Sequence, residues 1–255
     1  MTGAGLRVYD TAEELAAAAA GLFADLAAAE VEAKGVFTAA LSGGSTPGMT
    51  YDALAGPDRA GRVPWQGVHL FWGDERCVGP DDPESNFAMA RERLISRVDI
   101  PGENIHRMRG EDHPAASARR YEEELTGFFT SLGPPGSAPG TGVPALDLVF
   151  LGLGADCHTL SLFPGTAALE ETERLVVENY IPRLGSWRLT MTPRLVGAAG
   201  SAVFLVSGGG KAEALVRALG GGEGDCPARL IRSSRLDPDN DWPLWLVDRA
   251  AARLL

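Results

Sequence analysis

Apolar residues run along this chain in two rhythms that take turns. Compact apolar runs at residues 6–9, 36–41, 68–72, 146–151, 187–192, 202–206 and 245–247 have the length and content of buried strands. Between them the apolar positions fall at helical spacing. Thr11-Ala12-Glu13-Glu14 has the form of a capping box, and an alanine-rich helix follows to about Lys34, closed by Gly35. Met49, Leu54 and Ala55 mark a second helix, with Pro47 suited to its first position. Phe87, Ala90, Leu94 and Val98 mark a third, and Tyr121, Leu125, Phe128 and Phe129 a fourth. Further helices are predicted over 211–219 and from Arg249 to the end. Residues 133–144 hold four prolines and four glycines without an apolar period, so they read as a loop outside any core.

Strands that alternate with amphipathic helices predict an α/β fold with a mainly parallel sheet covered by helices on both faces. At 255 residues and 45% hydrophobic content the chain is expected to form one domain, 1–255, around one core. In such sheets ligands bind beyond the carboxyl ends of the strands, where the polar motifs of this chain fall.

The formal charge of −11 argues against a general affinity for nucleic acid or an anionic membrane surface. An anionic substrate must then meet a local cluster of donors. Lys34 and Lys211 are the only lysines, which draws attention to Lys211 at the start of a predicted helix. Three cysteines, Cys77, Cys157 and Cys226, are odd in number and far apart, which suits neither a disulfide framework nor paired zinc ligands, so a reducing cytoplasm is expected. No signal-peptide pattern opens the chain, and Asp25 interrupts the alanine-rich run, so no membrane association is expected.

Four strand-end segments carry candidate chemistry. Ser42-Gly43-Gly44-Ser45-Thr46-Pro47 links a strand to a helix start and has the design of a phosphate cradle; a tight turn capped by Ser45 or Thr46 fits the same residues. Asp74-Glu75-Arg76 brings a guanidinium to a strand end, where it suits phosphate oxygens or a solvated ion pair. Ser207-Gly208-Gly209-Gly210-Lys211 is a second possible anion site, without the glycine and hydroxyl of a Walker loop. Residues 151–165 read LGLGADCHTLSLFPG and deliver His158 from a strand end, where an imidazole suits a general base. A buried histidine bonded to a backbone carbonyl is the alternative there, and His69, His106 and His113 keep that reading. Gly152 and Gly154 lack the third glycine of a dinucleotide fingerprint, and Cys157 is a poor candidate nucleophile beside His158 because neighbours in an extended segment point apart.

Taken in order, LSGGSTP, WGDERCV with Ser85-Asn86, GLGADCHTLSLFPG, Arg188-Leu189-Thr190 and GGGKAEAL resemble the 6-phosphogluconolactonase family over roughly residues 9–248. The resemblance implies a Rossmann-like fold of the glucosamine-6-phosphate deaminase/ribose-5-phosphate isomerase type. It also implies hydrolysis of 6-phosphogluconolactone to 6-phosphogluconate without metal or organic cofactor. Thr159-Leu160-Ser161-Leu162-Phe163-Pro164 and Asp74-Glu75-Arg76 favour the lactonase over the deaminase branch. The family usually has Asp-Gly-His-Thr where this chain has Cys157, and Ala155 and Leu160 also depart from its usual residues. A left-handed backbone would strain a cysteine there by about 1–2 kcal/mol, whereas an ordinary backbone would let it pack as a small apolar residue.

On this reading His158 is the base that activates water, and Asp156 orients it. Backbone N–H groups of Gly43, Gly44 or Gly154 would receive the oxyanion. Phosphate is assigned to Ser42, Gly43, Gly44, Ser45, Thr46, Arg76 and Lys211, with Arg188 a weaker candidate. The partner is a small phosphosugar lactone, and the protein is expected to be a monomer or small homo-oligomer. A sugar-phosphate deaminase or isomerase using Asp74, and a non-catalytic phosphosugar-binding protein, are the alternatives.

Overall fold

The computed structural model describes residues 5–133, 138, 142–220, 225–231 and 243–255. Its centre is a six-stranded sheet in the order β1-β9-β8-β5-β2-β3, with every adjacent pair parallel. The strands are β1 (Leu6–Tyr9), β2 (Phe37–Leu41), β3 (Val68–Trp72), β5 (Leu148–Leu151), β8 (Ala202–Val206) and β9 (Leu244–Asp248). Every residue of β2, β5, β8 and β9 is buried; because successive side chains point to opposite faces, both faces of the sheet are covered. This matches the parallel α/β sheet expected from the apolar runs.

The first helix, α1 (Ala12–Lys34), starts at Thr11, whose hydroxyl accepts from the Glu14 N–H while the Glu14 carboxylate accepts from the Asp10 N–H. It buries Leu15, Ala19, Phe23 and Ala27, four apart on one face, and ends at Gly35 in the left-handed conformation. The alanines bring the helix close to the sheet, and the Phe23 ring meets those of Phe37 and Phe150. Truncating Phe23 to alanine would cost about 3–5 kcal/mol through lost contact and a residual cavity.

A second sheet, unforeseen from the apolar pattern, is antiparallel in the order β4-β7-β6, from β4 (Asp74–Arg76), β6 (Val176–Ile181) and β7 (Ser186–Met191). The run at 187–192 therefore belongs here rather than to the parallel sheet. β4 holds three charged residues and so has no apolar signal, and β6 interrupts its apolar pattern with a buried Asn179. That amide donates to the Ser161 carbonyl and to Thr166 Oγ1, which ties the small sheet to the loop that follows β5.

The remaining helices are α2 (Ser45–Leu54), α3 (Pro57–Ala60), α4 (Asn86–Arg93), α5 (Pro114–Ser131), α6 (Pro193–Gly197) and α7 (Ala212–Gly220). The helix expected through Val98 stops at Arg93, because Leu94 leaves the helical region at φ −131° and a tight turn follows. The closing helix expected from Arg249 is replaced by turns. Much of the 133–144 loop lies outside the described residues. Among the described residues no helix is long and apolar enough to cross a membrane.

Candidate active site

The strand order places β2 next to β5 at the centre of the sheet, with β3 on one side and β8 and β9 on the other. The chain thus reverses its direction of winding between β2 and β5, where an open parallel sheet leaves a crevice at its carboxyl end. A cleft of about 220 Å³ lies there, lined by residues 42–47, Asp74, Arg76, Asn86, residues 152–154, His158, Leu160, residues 205–207 and Lys211. All four strand-end motifs, the histidine segment among them, therefore converge on one opening.

The β2 loop owes its shape to glycine. Gly44 has φ +106°, a conformation that L side chains rarely adopt, and a methyl group on Gly43 would fall 1.9 Å from Asn86 Oδ1. The next residues start α2, whose N-cap is Gly44 without any side-chain cap. The Ser45 or Thr46 cap weighed from the sequence is absent; Thr46 Oγ1 instead bonds Ser207 Oγ at 2.7 Å, and Pro47 takes the third helical position rather than the first. Among the described residues the N–H groups of Gly43, Gly44, Ser45 and Thr46 have no protein acceptor, so a helix N-terminus with unpaired donors faces the cleft. Ser42 is fixed from behind, with the buried Tyr51 hydroxyl accepting from its N–H and donating to its carbonyl.

Asn86 holds the opposite wall. Its amide donates to the Asp74 carbonyl at 2.9 Å and to Asp74 Oδ1 at 3.2 Å. Ser161 Oγ donates to the other Asp74 oxygen at 2.7 Å. Glu75 is buried and points away from the cleft; burial pushes its carboxyl up, although it accepts N–H bonds from Asn86, Phe87 and Arg76 and a hydroxyl from Ser85. It organises the turn that presents Asn86.

Arg76 lines the cleft and donates to the Glu84 carbonyl, and neither it nor Lys211 forms an ion pair among the described residues. Two cations without carboxylate partners beside unpaired amides make the cleft suited to an anion. Arg188 pairs with Arg76 across the β4–β7 ladder but does not line the cleft. Burial, and then the neighbouring Arg76 charge, lower its pKa. In the glycine run before Lys211, the Gly208 N–H is already bound to the Asp248 carboxylate, so that amide is not an anion donor.

The histidine loop is built differently. The Gly154 N–H donates to the His158 carbonyl at 2.8 Å, and the Cys157 N–H to the Gly154 carbonyl at 3.0 Å. Gly154 is thereby removed from the oxyanion donors named from the sequence, because its N–H is used within the turn. Glycine is still required there: a Cβ would lie 2.0 Å from His158 Nδ1. That nitrogen bonds Asp156 Oδ1 at 2.5 Å, and the Arg183 guanidinium, from the turn between β6 and β7, pairs with the other Asp156 oxygen. Phe163 stacks on the imidazole at 4.0 Å between ring centres, and Arg183 lies over the far ring at 4.8 Å.

Burial lowers the His158 pKa below 6.5, against the opposing pull of Asp156, so the ring is neutral at pH 7. For Asp156 burial acts upward, but the hydrogen bond and charge of His158, with Arg183, hold the carboxyl below its ordinary value. An ionised Asp156 accepting from Nδ1–H leaves the Nε2 lone pair available, and Nε2 has no protein partner among the described residues. His69 and His106 bond each other, and His106 bonds Glu124, outside the cleft lining, so their rings use side-chain partners rather than the expected backbone carbonyls. Arg183 was not singled out from the sequence, since nothing local marks it as part of a site, and Asn86 and Ser207 entered there only as members of longer motifs, without a role of their own.

Cys157 settles one question and corrects another. Its backbone is left-handed, with φ +74°, and it is disulfide-bonded to Cys226, so only Cys77 is free. The expectation that the cysteines do not pair fails, because 69 residues of sequence separation hide a Cα–Cα distance of 5.0 Å. The disulfide also removes Cys157 as a thiol nucleophile. Leu160 is left-handed too, at φ +52°, and its side chain lies where a Cβ on Gly73 would stand.

Residues 10–241 match the family model described as glucosamine-6-phosphate isomerases/6-phosphogluconolactonase. The chain belongs to this family. It is 45% identical over 224 residues to the 6-phosphogluconolactonase of Nostoc sp., covering 87% of this chain and 85% of that protein. It is 34% identical over 256 residues to the 6-phosphogluconolactonase of Mycobacterium tuberculosis, covering 98% of each. The structure of 6-phosphogluconolactonase from Trypanosoma brucei superposes with a TM-score of 0.80 at 29% identity, covering 98% of each chain. The family resemblance read from five motifs is thus shown by whole-chain similarity.

Proposed function

We propose that this protein hydrolyses 6-phospho-D-glucono-1,5-lactone to 6-phosphogluconate, the lactone-opening step of the oxidative pentose phosphate pathway. The observation that carries this reading is the opening of a neutral imidazole, unpaired backbone amides and two cations into one cleft. His158 Nε2 takes a proton from water as the oxygen attacks the lactone carbonyl carbon. The resulting imidazolium, stabilised by Asp156, protonates the departing ring oxygen. Such acid–base help is worth about 10²–10⁴ in rate. The Gly43 and Gly44 N–H groups receive charge on the carbonyl oxygen.

The substrate phosphate is assigned to the Ser45 and Thr46 N–H groups, the hydroxyls of Ser42, Ser45 and Thr46, Arg76 and Lys211, with Arg188 adding positive field from behind Arg76. Anchoring the phosphate turns binding energy into orientation of the carbonyl against His158. A phosphorylated substrate does not cross lipid unaided, since a bare charge is costly to bury, so we place the enzyme in the cytoplasm where such sugars are made.

Asp74 in the same cleft supports a second reading, in which it abstracts a proton α to a carbonyl as in sugar-phosphate isomerisation and deamination. Lactone generated freshly from glucose 6-phosphate separates the two. Acid release faster than the spontaneous rate, with no ammonia from glucosamine 6-phosphate, is expected; the opposite pattern favours the deaminase. Saturable 6-phosphogluconate binding without acid release would make the protein a phosphosugar sensor.

A further inference from the structure

The Asp156–His158 pair sits on either side of a residue whose backbone an L amino acid rarely adopts. Cys157 has φ +74°, and the family's usual glycine would take that conformation freely. Here a covalent bond stands in its place. Cys226 is joined to Cys157 across a Cα–Cα distance of 5.0 Å, well within the span of a disulfide. The same segment grips the loop at two more points: the Ala228 N–H donates to the Cys157 carbonyl at 3.2 Å, and the Gly165 N–H to Asp225 Oδ2 at 3.0 Å. A rotation of the backbone at residue 157 would turn Asp156 and His158 relative to each other.

We propose that the Cys157–Cys226 disulfide is the positioning element for the Asp156–His158 pair, and that its reduction by a dithiol, small or protein-borne, reversibly slows turnover. The proposal rests on the reading of His158 as the base. In a cytoplasmic setting disulfides are usually transient or redox-sensing, which suits a reversible tether. One thiolate of the dithiol attacks Sγ of Cys226, which is 5% exposed against 0% for Cys157. The S–S bond breaks, and Cys157 leaves as a thiolate that takes a proton. The second thiolate of the reductant then attacks its own sulfur in the mixed disulfide, releasing Cys226 to be protonated. Two electrons and two protons pass to the protein, and the dithiol leaves as a disulfide. A disulfide oxidant of the same class runs the exchange backwards.

The experiment titrates thiols and measures kcat and KM for the lactone before and after a small dithiol. The native chain should show one reactive cysteine, Cys77, and the reduced chain three. On reduction kcat should fall about ten-fold, as an untethered cysteine relaxes from the left-handed region, while KM holds. Cys226→Ser should be as slow as reduced wild type and blind to the dithiol. Cys157→Gly should turn over faster than Cys226→Ser and at one rate in both redox conditions. The ring-proton NMR resonance of His158, assigned with His158→Gln, should shift on reduction of wild type. Three thiols in the native chain, an undiminished kcat with three thiols exposed, a Cys157→Gly that still responds to dithiol, or an unmoved His158 resonance would each overturn the proposal. A shifting resonance without lactone hydrolysis in any state would instead overturn the assignment of His158 as the base.

Discussion

Two loops meet in the cleft, and they acquire their shapes in opposite ways. The loop after β2 is shaped by its own residues: Gly44 takes the left-handed backbone freely, Gly43 leaves room for Asn86, and the amides are unpaired because a helix begins there. The loop after β5 is shaped from a distance. Cys157 and Leu160 are left-handed without being glycine, and the loop is held from two other parts of the chain, by Cys226 and by Asn179 and Arg183 of β6 and the turn after it. A binding cradle asks for bare backbone, which local glycines supply. An acid–base pair asks for two side chains in fixed register, and that takes restraints from outside the loop.

Adding one methyl group to each loop should break them in different kinetic terms. Gly154→Ala puts a Cβ on top of His158 Nδ1, so kcat should fall by about 10²-fold with KM little changed. Gly43→Ala pushes against Asn86 and shifts the whole loop, so KM should rise by about ten-fold or more from impaired hydrogen bonds to a charged group, together with a fall in kcat from the displaced oxyanion amides. Equal kcat and KM effects in both variants would dissolve the distinction. Lys211→Ala should raise KM by roughly ten-fold for the phosphorylated lactone and leave an unphosphorylated lactone untouched; parallel losses on both substrates would take Lys211 out of phosphate binding.

The pH dependence sharpens the comparison from the histidine side. Because the neutral ring is the base and burial holds its pKa below 6.5, kcat/KM should be at its plateau at pH 7 and decline only as pH falls below 6.5. Asp156→Asn removes a carboxylate that raises this pKa, so the acid limb should move to lower pH while kcat drops; a limb displaced upward would contradict the pairing. His69 is the control. Burial, and then the His106 ring, lower its pKa to about 4, so the unfolded chain takes up that proton first and stability falls as pH drops from 6.5 towards 4. His69→Asn should make Tm less acid-sensitive and leave the kcat/KM limb where it was.

The parallel sheet was legible because its strands are short unbroken apolar runs; β3 and β8 lie where the pattern put them. The glycine-shaped turn after β2, running into a helix start, was legible from neighbouring residues alone. The rest depended on the tertiary fold. β4 consists of Asp74, Glu75 and Arg76, with nothing apolar to announce a strand, and the expected C-terminal helix spans too few residues to pay for its own nucleation. Arg183 reaches Asp156 from a turn 27 positions on, and Cys226 reaches Cys157 across 69. Neither pairing leaves a spacing signal. Gly154 shows the reverse: its sequence setting suggests a free amide, but the turn spends its N–H on the His158 carbonyl.

The most direct measurement compares turnover and binding in one variant, His158→Ala. Lactone hydrolysis should fall by about 10²–10⁴ while calorimetric affinity for 6-phosphogluconate stays at the wild-type value. Hydrolysis at the wild-type rate, or a loss of binding that matches the loss of turnover, would contradict a cleft in which the imidazole performs the chemistry and the β2 loop, Arg76 and Lys211 hold the phosphate.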